Sequence, residues 1–228
     1  MKYTAIILAA GSGSRMNLGY NKMFFTLKNK PLITLSIQKF LDDENCTEII
    51  IVGNEKEIKD LELILKQHDL YTEKCMIVSG SYERQYSVYN GLQNVTNDIV
   101  LVHDGARPFI TRELIHQLVE EAKTNGCCIP GVKVKDTIKY VNNNFIKETL
   151  PREFLYAVQT PQACQTSLIK KAHELAKEEN FLGTDEASLV EKYTPLSVKL
   201  IESNYENIKI TTKEDLIYAE RLYDKYFN

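Results

Sequence analysis

The chain has 228 residues, 43% of them hydrophobic and 26% charged, with a formal net charge of −3. That length supports one domain whose core needs no disulfide or structural metal. The slight negative balance excludes bulk attraction to nucleic acid or an anionic membrane, so any polyanion site must be a local cluster of Lys and Arg.

Residues 3–8 form a short apolar run that leads straight into a glycine-rich turn. This predicts a buried first strand rather than a signal peptide. No apolar run approaches the roughly 18 residues that cross a bilayer, and a cytoplasmic protein is expected. Apolar runs at 48–52, 74–78, 98–102, 127–134 and 198–201 predict further strands. Amphipathic stretches at 31–41, 55–68, 83–92, 112–123, 166–178 and 213–226 predict helices between them. Such alternation implies an α/β fold: a single Rossmann-like domain over 1–228, with a mostly parallel sheet and helices on both faces. Ligands on such sheets lie beyond the carboxyl ends of the strands, which directs attention to the loops after strands one, three, four and five.

One segment breaks the alternation. Residues 136–141, the turn Asn142-Asn143-Asn144 and residues 145–149 predict a projecting β-hairpin, since asparagine tolerates positive φ. A hairpin of this kind cannot bury itself well alone, so the arm 136–152 is expected to pack on a second copy of the chain. The five cysteines (Cys46, Cys75, Cys127, Cys128, Cys164) are odd in number and include no C-x-x-C. Buried free thiols in a reducing compartment are therefore expected, not a disulfide framework or a zinc site.

The loop Leu8-Ala9-Ala10-Gly11-Ser12-Gly13-Ser14-Arg15-Met16 follows the first strand directly. Its small residues let the backbone approach a ligand and leave successive N–H groups to cradle phosphates. The third glycine of a dinucleotide fingerprint is missing, because Met16 stands there, and there is no Walker lysine pattern. Arg15 and Lys22 flank the loop instead, and two cations beside a backbone nest suit a triphosphate.

This loop resembles that of the sugar-nucleotide pyrophosphorylases and cytidylyltransferases. The resemblance continues through Gly80-Ser81-Tyr82-Glu83-Arg84-Gln85-Tyr86-Ser87, His103-Asp104-Gly105-Ala106-Arg107-Pro108, Val134-Lys135-Asp136-Thr137, Gln159-Thr160-Pro161-Gln162, Thr184-Asp185-Glu186-Ala187-Ser188 and Asn207-Ile208-Lys209. In that order and spacing the chain is similar to the 2-C-methyl-D-erythritol 4-phosphate cytidylyltransferases of non-mevalonate isoprenoid synthesis. The resemblance implies that Ala9, Ala10 and Gly11 hold the base and phosphates of CTP. It makes Arg15, Lys22 and Lys209 the catalytic cations on the triphosphate. Gly80, Ser81, Glu83, Arg84 and Ser87 would serve the cytosine and ribose, although Ser87 as a helix-internal hydroxyl bonded to its own backbone stays open. Asp104 and Gly105 would lie by the substrate, with Asp104 as a ligand of Mg²⁺, and Arg107 by the polyol phosphate. Thr137 and Arg152 would reach that phosphate in a neighbouring subunit, giving a homodimer with shared sites, and Thr160 is a further candidate. His103 is expected to be structural.

The sequence departs from the resembled pattern in three places. Asn21-Lys22-Met23 stands where Pro-Lys-Gln is common, so a fixed φ is lost. Ser81 replaces a second glycine, and Pro151 replaces an Asp before Arg152. No Ser-His-Asp order, nucleophilic cysteine or paired acid carboxylates stand out, and none is needed if the substrate's own ionised phosphate attacks CTP in line. Ribitol 5-phosphate is the alternative acceptor. A nicotinamide-dependent oxidoreductase and a non-catalytic nucleotide-binding module are the readings from other classes.

Overall fold

The computed structural model of the protein describes residues 1–11 and 21–227. From the N-terminus, β1 (Tyr3–Leu8), the short strands β2 (Thr26–Leu27) and β3 (Lys30–Pro31), and α1 (Leu32–Leu41) lead to β4 (Cys46–Gly53), α2 (Ile58–Gln67), β5 (Cys75–Ser79) and α3 (Arg84–Leu92). There follow β6 (Ile99–Asp104), α4 (Arg112–Asn125), β7 (Cys127–Lys133), and the hairpin strands β8 (Lys139–Asn142) and β9 (Phe145–Thr149). The remainder is β10 (Tyr156–Val158), β11 (Gln162–Gln165), α5 (Thr166–Glu178), α6 (Glu186–Tyr193), β12 (Lys199–Glu202) and α7 (Lys213–Phe227).

The main sheet runs β10-β7-β11-β6-β1-β4-β5, with β12 also paired to β7. β1 lies parallel between β4 and β6, and β5 extends the parallel half. The period of two is visible in what each strand buries. Ala5, Ile7, Ile49 and Ile51 face one core with Leu35, Phe40, Leu118 and Leu222, while Ile6, Ile50 and Val52 face a second with Val88, Ile169 and Val190. The two cores are the two faces of the sheet, one under α1, α2, α4 and α7 and the other under α3, α5 and α6. The expected doubly covered, mostly parallel α/β architecture is therefore present.

The chain between the arm and α5 differs from expectation. β11 enters the sheet antiparallel between β6 and β7, and β10 pairs antiparallel with β7 just before it. Residues 156–165 carry glutamines and Pro161 rather than an apolar run, and their pairing partners lie far along the chain, so periodicity gives no sign of them. The eight-residue α6 was also unforeseen. Its start is marked by a reciprocal cap in which Asp185 accepts from the Ser188 backbone and Ser188 reaches back to Asp185. The cysteines need a correction too. Cys127 and Cys164 stand opposite one another on β7 and β11 and are joined by a disulfide, leaving Cys46, Cys75 and Cys128 as free thiols. Their adjacency follows from the antiparallel insertion and is invisible in their spacing.

The arm has the predicted form. β8 and β9 pair with each other alone among the described residues, across a turn where Asn143 and Asn144 take φ of 49° and 64°. Both strands are exposed along their whole length. Among the described residues no helix is long and apolar enough to cross a membrane.

Two histidines are sealed in this core. His103 is fully buried on β6, and His173 on α5 has neither ring nitrogen hydrogen-bonded among the described residues. Burial pushes each down to about 4 from the ordinary 6.5. The unfolded chain therefore takes up these protons first, so this contribution is whole above pH 6.5 and is lost as pH falls toward 4. The unfolding free energy should hold steady near neutrality and drop across that window, by up to about 3 kcal/mol for each histidine. His173→Leu should recover part of the loss. Equal acid sensitivity in that variant would assign the loss to other groups.

Candidate active site

The carboxyl ends of β1, β5 and β6 open onto a cleft of about 480 Å³. Backbone hydrogen bonds between neighbouring loops shape it. The Ala9 N–H donates to the Val52 carbonyl (2.8 Å), the Gly80 N–H to the Gly53 carbonyl (2.7 Å), and the Gly105 N–H to the Leu8 carbonyl (3.0 Å). Two of these positions have no room for a side chain. A Cβ at Gly80 would stand 2.8 Å from the Ala10 Cβ, and one at Gly105 would stand 2.9 Å from the Leu8 oxygen. Glycine is required there by close approach, since neither position carries a positive φ.

Asp104, the last residue of β6, is the hub. Its carboxylate lies 2.8 Å from Lys209 Nζ, 3.5 Å from Arg84 Nε and 4.0 Å from Arg107 Nε. Burial alone would raise its pKa, but Arg84, Lys209 and Arg107 outweigh burial and hold it well below the usual carboxylate range. Arg84 in turn forms a two-pronged pair with Glu186, at 2.9 and 3.0 Å. Glu186 itself is placed by Gln162 of β11. The Gln162 amide oxygen accepts from the Glu186 and Ala187 N–H groups at the start of α6, and its NH₂ donates to Asp185. Arg107 donates to the Asn207 carbonyl at 2.7 Å.

Behind Asp104 a continuous hydrogen-bond chain settles the role of His103. The Asp104 N–H donates to Thr160 Oγ1 (3.0 Å), and Thr160 Oγ1 lies 3.2 Å from His103 Nδ1. His103 Nε2 lies 3.0 Å from the Arg107 carbonyl, which can only accept, so Nε2 carries the proton. The neutral ring leaves Nδ1 to accept from the Thr160 hydroxyl. With both nitrogens satisfied and no access to the cleft, His103 is structural, as expected.

Lys22 opens a short 3₁₀ turn, Lys22–Phe24, and is 9% exposed. Its ammonium donates to the Ile210 carbonyl at 2.9 Å, and the Ile210 N–H donates to the Ala106 carbonyl. Residue 210 follows Lys209, so both lysines are brought to the same end of the cleft. The expected loss of a fixed φ at Asn21 needs correction: φ is −63° there, within the range a proline ring imposes, and side-chain hydrogen bonds hold it.

The cleft thus gathers Ala10, Gly11, Lys22, Ser81, Glu83, Arg84, Ser87, Asp104 and Lys209 on one wall or another. Ala9, Gly80, Gly105, Arg107 and Thr160 lie immediately behind that surface, where they hold the loops or the Asp104 cluster. Ser87 satisfies itself locally, accepting from the Ser81 N–H and donating to the Glu83 carbonyl, so the helix-internal reading of its hydroxyl describes this structure. Thr137 and Arg152 are exposed on the arm and do not line the cleft; Arg152 donates to the Lys135 carbonyl. Arg15 lies outside the described residues. No role follows from the sequence for Asn21, Gln162 or Glu186, nor for Tyr82, which lines the cleft. The capping signature around Asp185 could have located the start of α6 and hence Glu186, while Asn21 and Gln162 offer no local signal.

A profile of the 2-C-methyl-D-erythritol 4-phosphate cytidylyltransferase family matches residues 3–225. The chain belongs to this family. Among its relatives, the 2-C-methyl-D-erythritol 4-phosphate cytidylyltransferase of Geobacillus kaustophilus is 49% identical over 223 residues, covering 97% of each chain. The protein of the same name from Halalkalibacterium halodurans is 46% identical over 223 residues, again with 97% of each covered. The crystal structure of the 4-diphosphocytidyl-2C-methyl-D-erythritol synthase of Anaerococcus prevotii superposes with a TM-score of 0.86 at 30% identity, covering 98% of this chain and 96% of that one. The Thermus thermophilus cytidylyltransferase gives 0.79 at 28% identity, with 97% and 98% covered. Family membership removes the oxidoreductase and non-catalytic alternatives and accounts for a cleft lined by Lys22, Arg84 and Lys209.

Proposed function

We infer that the protein transfers CMP from CTP to 2-C-methyl-D-erythritol 4-phosphate, releasing pyrophosphate and forming the 4-diphosphocytidyl product. The observation that carries this reading is the convergence of Lys22, Lys209 and Arg84 with Asp104 at the mouth of the parallel strands in a chain of this family. Attack by the polyol phosphate on the α-phosphorus of CTP builds negative charge on its non-bridging oxygens. Fixed cations placed in advance stabilise that charge with little reorganisation. Lys22 and Lys209 suit this role because each is already held by protein oxygens. Arg15 is proposed to join them. Ala9, Ala10, Gly11, Gly80, Ser81, Glu83, Arg84 and Ser87 are proposed to receive the nucleotide, and Asp104, Gly105, Arg107 and Thr160 to form the floor beneath it.

Mg²⁺ is proposed as the cofactor. The donor set fits a weakly protein-bound ion: Asp104 lines the cleft, its Oδ1 lies at a long 3.5 Å from Arg84 Nε, and Mg²⁺ uses few protein oxygens alongside phosphates and water. Bound there with the triphosphate, it would supply further charge neutralisation at the phosphates. A cytoplasmic location goes with this reading, since CTP is a cytoplasmic metabolite.

The arm is proposed to make the enzyme a homodimer with shared sites. Tyr140, Val141, Phe145, Ile146 and Phe154 are exposed by 50% or more, and this much apolar surface on one hairpin and the turn after it calls for a covering partner. Thr137 and Arg152 flank it and would serve the polyol phosphate in the neighbouring cleft, where a guanidinium can bind two phosphate oxygens.

Two experiments test these assignments. Pyrophosphate release with CTP and Mg²⁺ should be faster with 2-C-methyl-D-erythritol 4-phosphate than with ribitol 5-phosphate; equal or better use of ribitol 5-phosphate would overturn the acceptor. Lys22→Ala should lower kcat by roughly 10²–10³, and mixing it with inactive Arg152→Ala should restore up to roughly a quarter of wild-type sites by random pairing. No recovery after demonstrated subunit exchange would place each site within one chain.

A further inference from the structure

Asn21 is 4% exposed and uses both ends of its amide. Its Oδ1 accepts from the Met23 N–H at 3.0 Å, capping the turn that begins with Lys22. Its Nδ2 donates to the Ala9 carbonyl at 2.9 Å and to Glu57 Oε2 at 2.7 Å. One side chain therefore ties three elements of the cleft: the end of β1, the Lys22 turn and the entrance to α2. A proline would supply the same φ but none of these bonds. The Glu57 bond is charge-assisted and stronger than a neutral one. Lys22 follows Asn21 directly, so the tie to Ala9 sets where the turn that carries its ammonium to the Ile210 carbonyl lies against the end of β1.

We propose that Asn21 is a positioning residue for the transfer reaction, fixing the Lys22 ammonium relative to the loop after β1 through Ala9 and Glu57. This rests on the reading of Lys22 as a catalytic cation. Asn21→Asp is the sharpest variant: its carboxylate still accepts from the Met23 N–H, but it turns an acceptor toward the Ala9 carbonyl and Glu57. The cap survives and the tie is lost. Glu57→Ala removes one partner of the tie at a half-exposed position, outside the core.

The test is steady-state kinetics of Asn21→Asp, Asn21→Ala and Glu57→Ala, each alone and combined with Lys22→Ala, with melting temperatures alongside. The Asn21 variants should lower kcat by roughly 10–100-fold, the value of a hydrogen bond to a charged group, while KM for CTP changes by less than about threefold. Glu57→Ala should show a smaller loss of the same kind with an unchanged melting temperature. On the Lys22→Ala background every one of these losses should shrink below about threefold, because the group being positioned is gone. If either Asn21 variant fails to fold, the Glu57→Ala pair carries the same comparison. Turnover within about threefold of wild type in the folded Asn21 variants, or losses that multiply in full with Lys22→Ala, would overturn the proposal. A Lys22→Ala enzyme that is itself nearly as active as wild type would instead strike the reading of Lys22.

Discussion

Asp104 is a buried carboxylate whose charge survives only because Arg84, Arg107 and Lys209 surround it. Each cation comes from a different stretch of chain: the start of α3, the loop after β6 and the segment between β12 and α7. The attraction therefore does more than ionise one acid. It draws three loops to one point, and each loop then supplies a wall of the cleft. Removing Asp104 would leave these three cations facing one another in a low-dielectric pocket, with Glu186 beside Arg84 as their carboxylate partner, which costs more than the pairs contribute by being intact. The secondary pairs follow the same logic. Arg84 is shared with Glu186, Glu186 is seated by Gln162, and Gln162 sits on the strand inserted between β6 and β7.

This arrangement also explains how cations can be kept ready without closing on each other. Lys209 is balanced by Asp104, Arg84 by Glu186 and Asp104, and Lys22 by the Ile210 carbonyl. On the proposed binding of a triphosphate, these contacts would exchange protein oxygens for phosphate oxygens with little movement of the donors. Preorganised charge of this kind suits a reaction whose nucleophile is supplied by the substrate.

Much of this was legible in the sequence because the relevant residues sit where a parallel sheet always presents its ligands. Lys22 comes after the glycine-rich turn that ends β1 and Asp104 closes β6, both at the carboxyl edge, while Arg84 and Lys209 were reached through the family resemblance. The arm was legible for a local reason of its own, since Asn143 and Asn144 tolerate the positive φ of its turn. What escaped was nonlocal. The antiparallel insertion of β11, the Cys127–Cys164 pairing and the Arg84–Glu186 pair join residues far apart in the chain. Asn21 is the clearest case: its identity suggested a lost constraint, while its neighbours in space turn it into a tie.

The organisation of the cleft depends on the ionisation of Asp104. The carboxyl ¹³C shift of Asp104, followed by NMR from about pH 7 to about pH 4, reads it directly, since an ordinary aspartate would already be titrating at the acid end of that range. The cluster predicts a shift that stays constant throughout. A shift that is already moving by about pH 4, as for an aspartate at the ordinary value of 3.8, would mean that the surrounding cations do not hold the charge, and that the cleft is organised by something else.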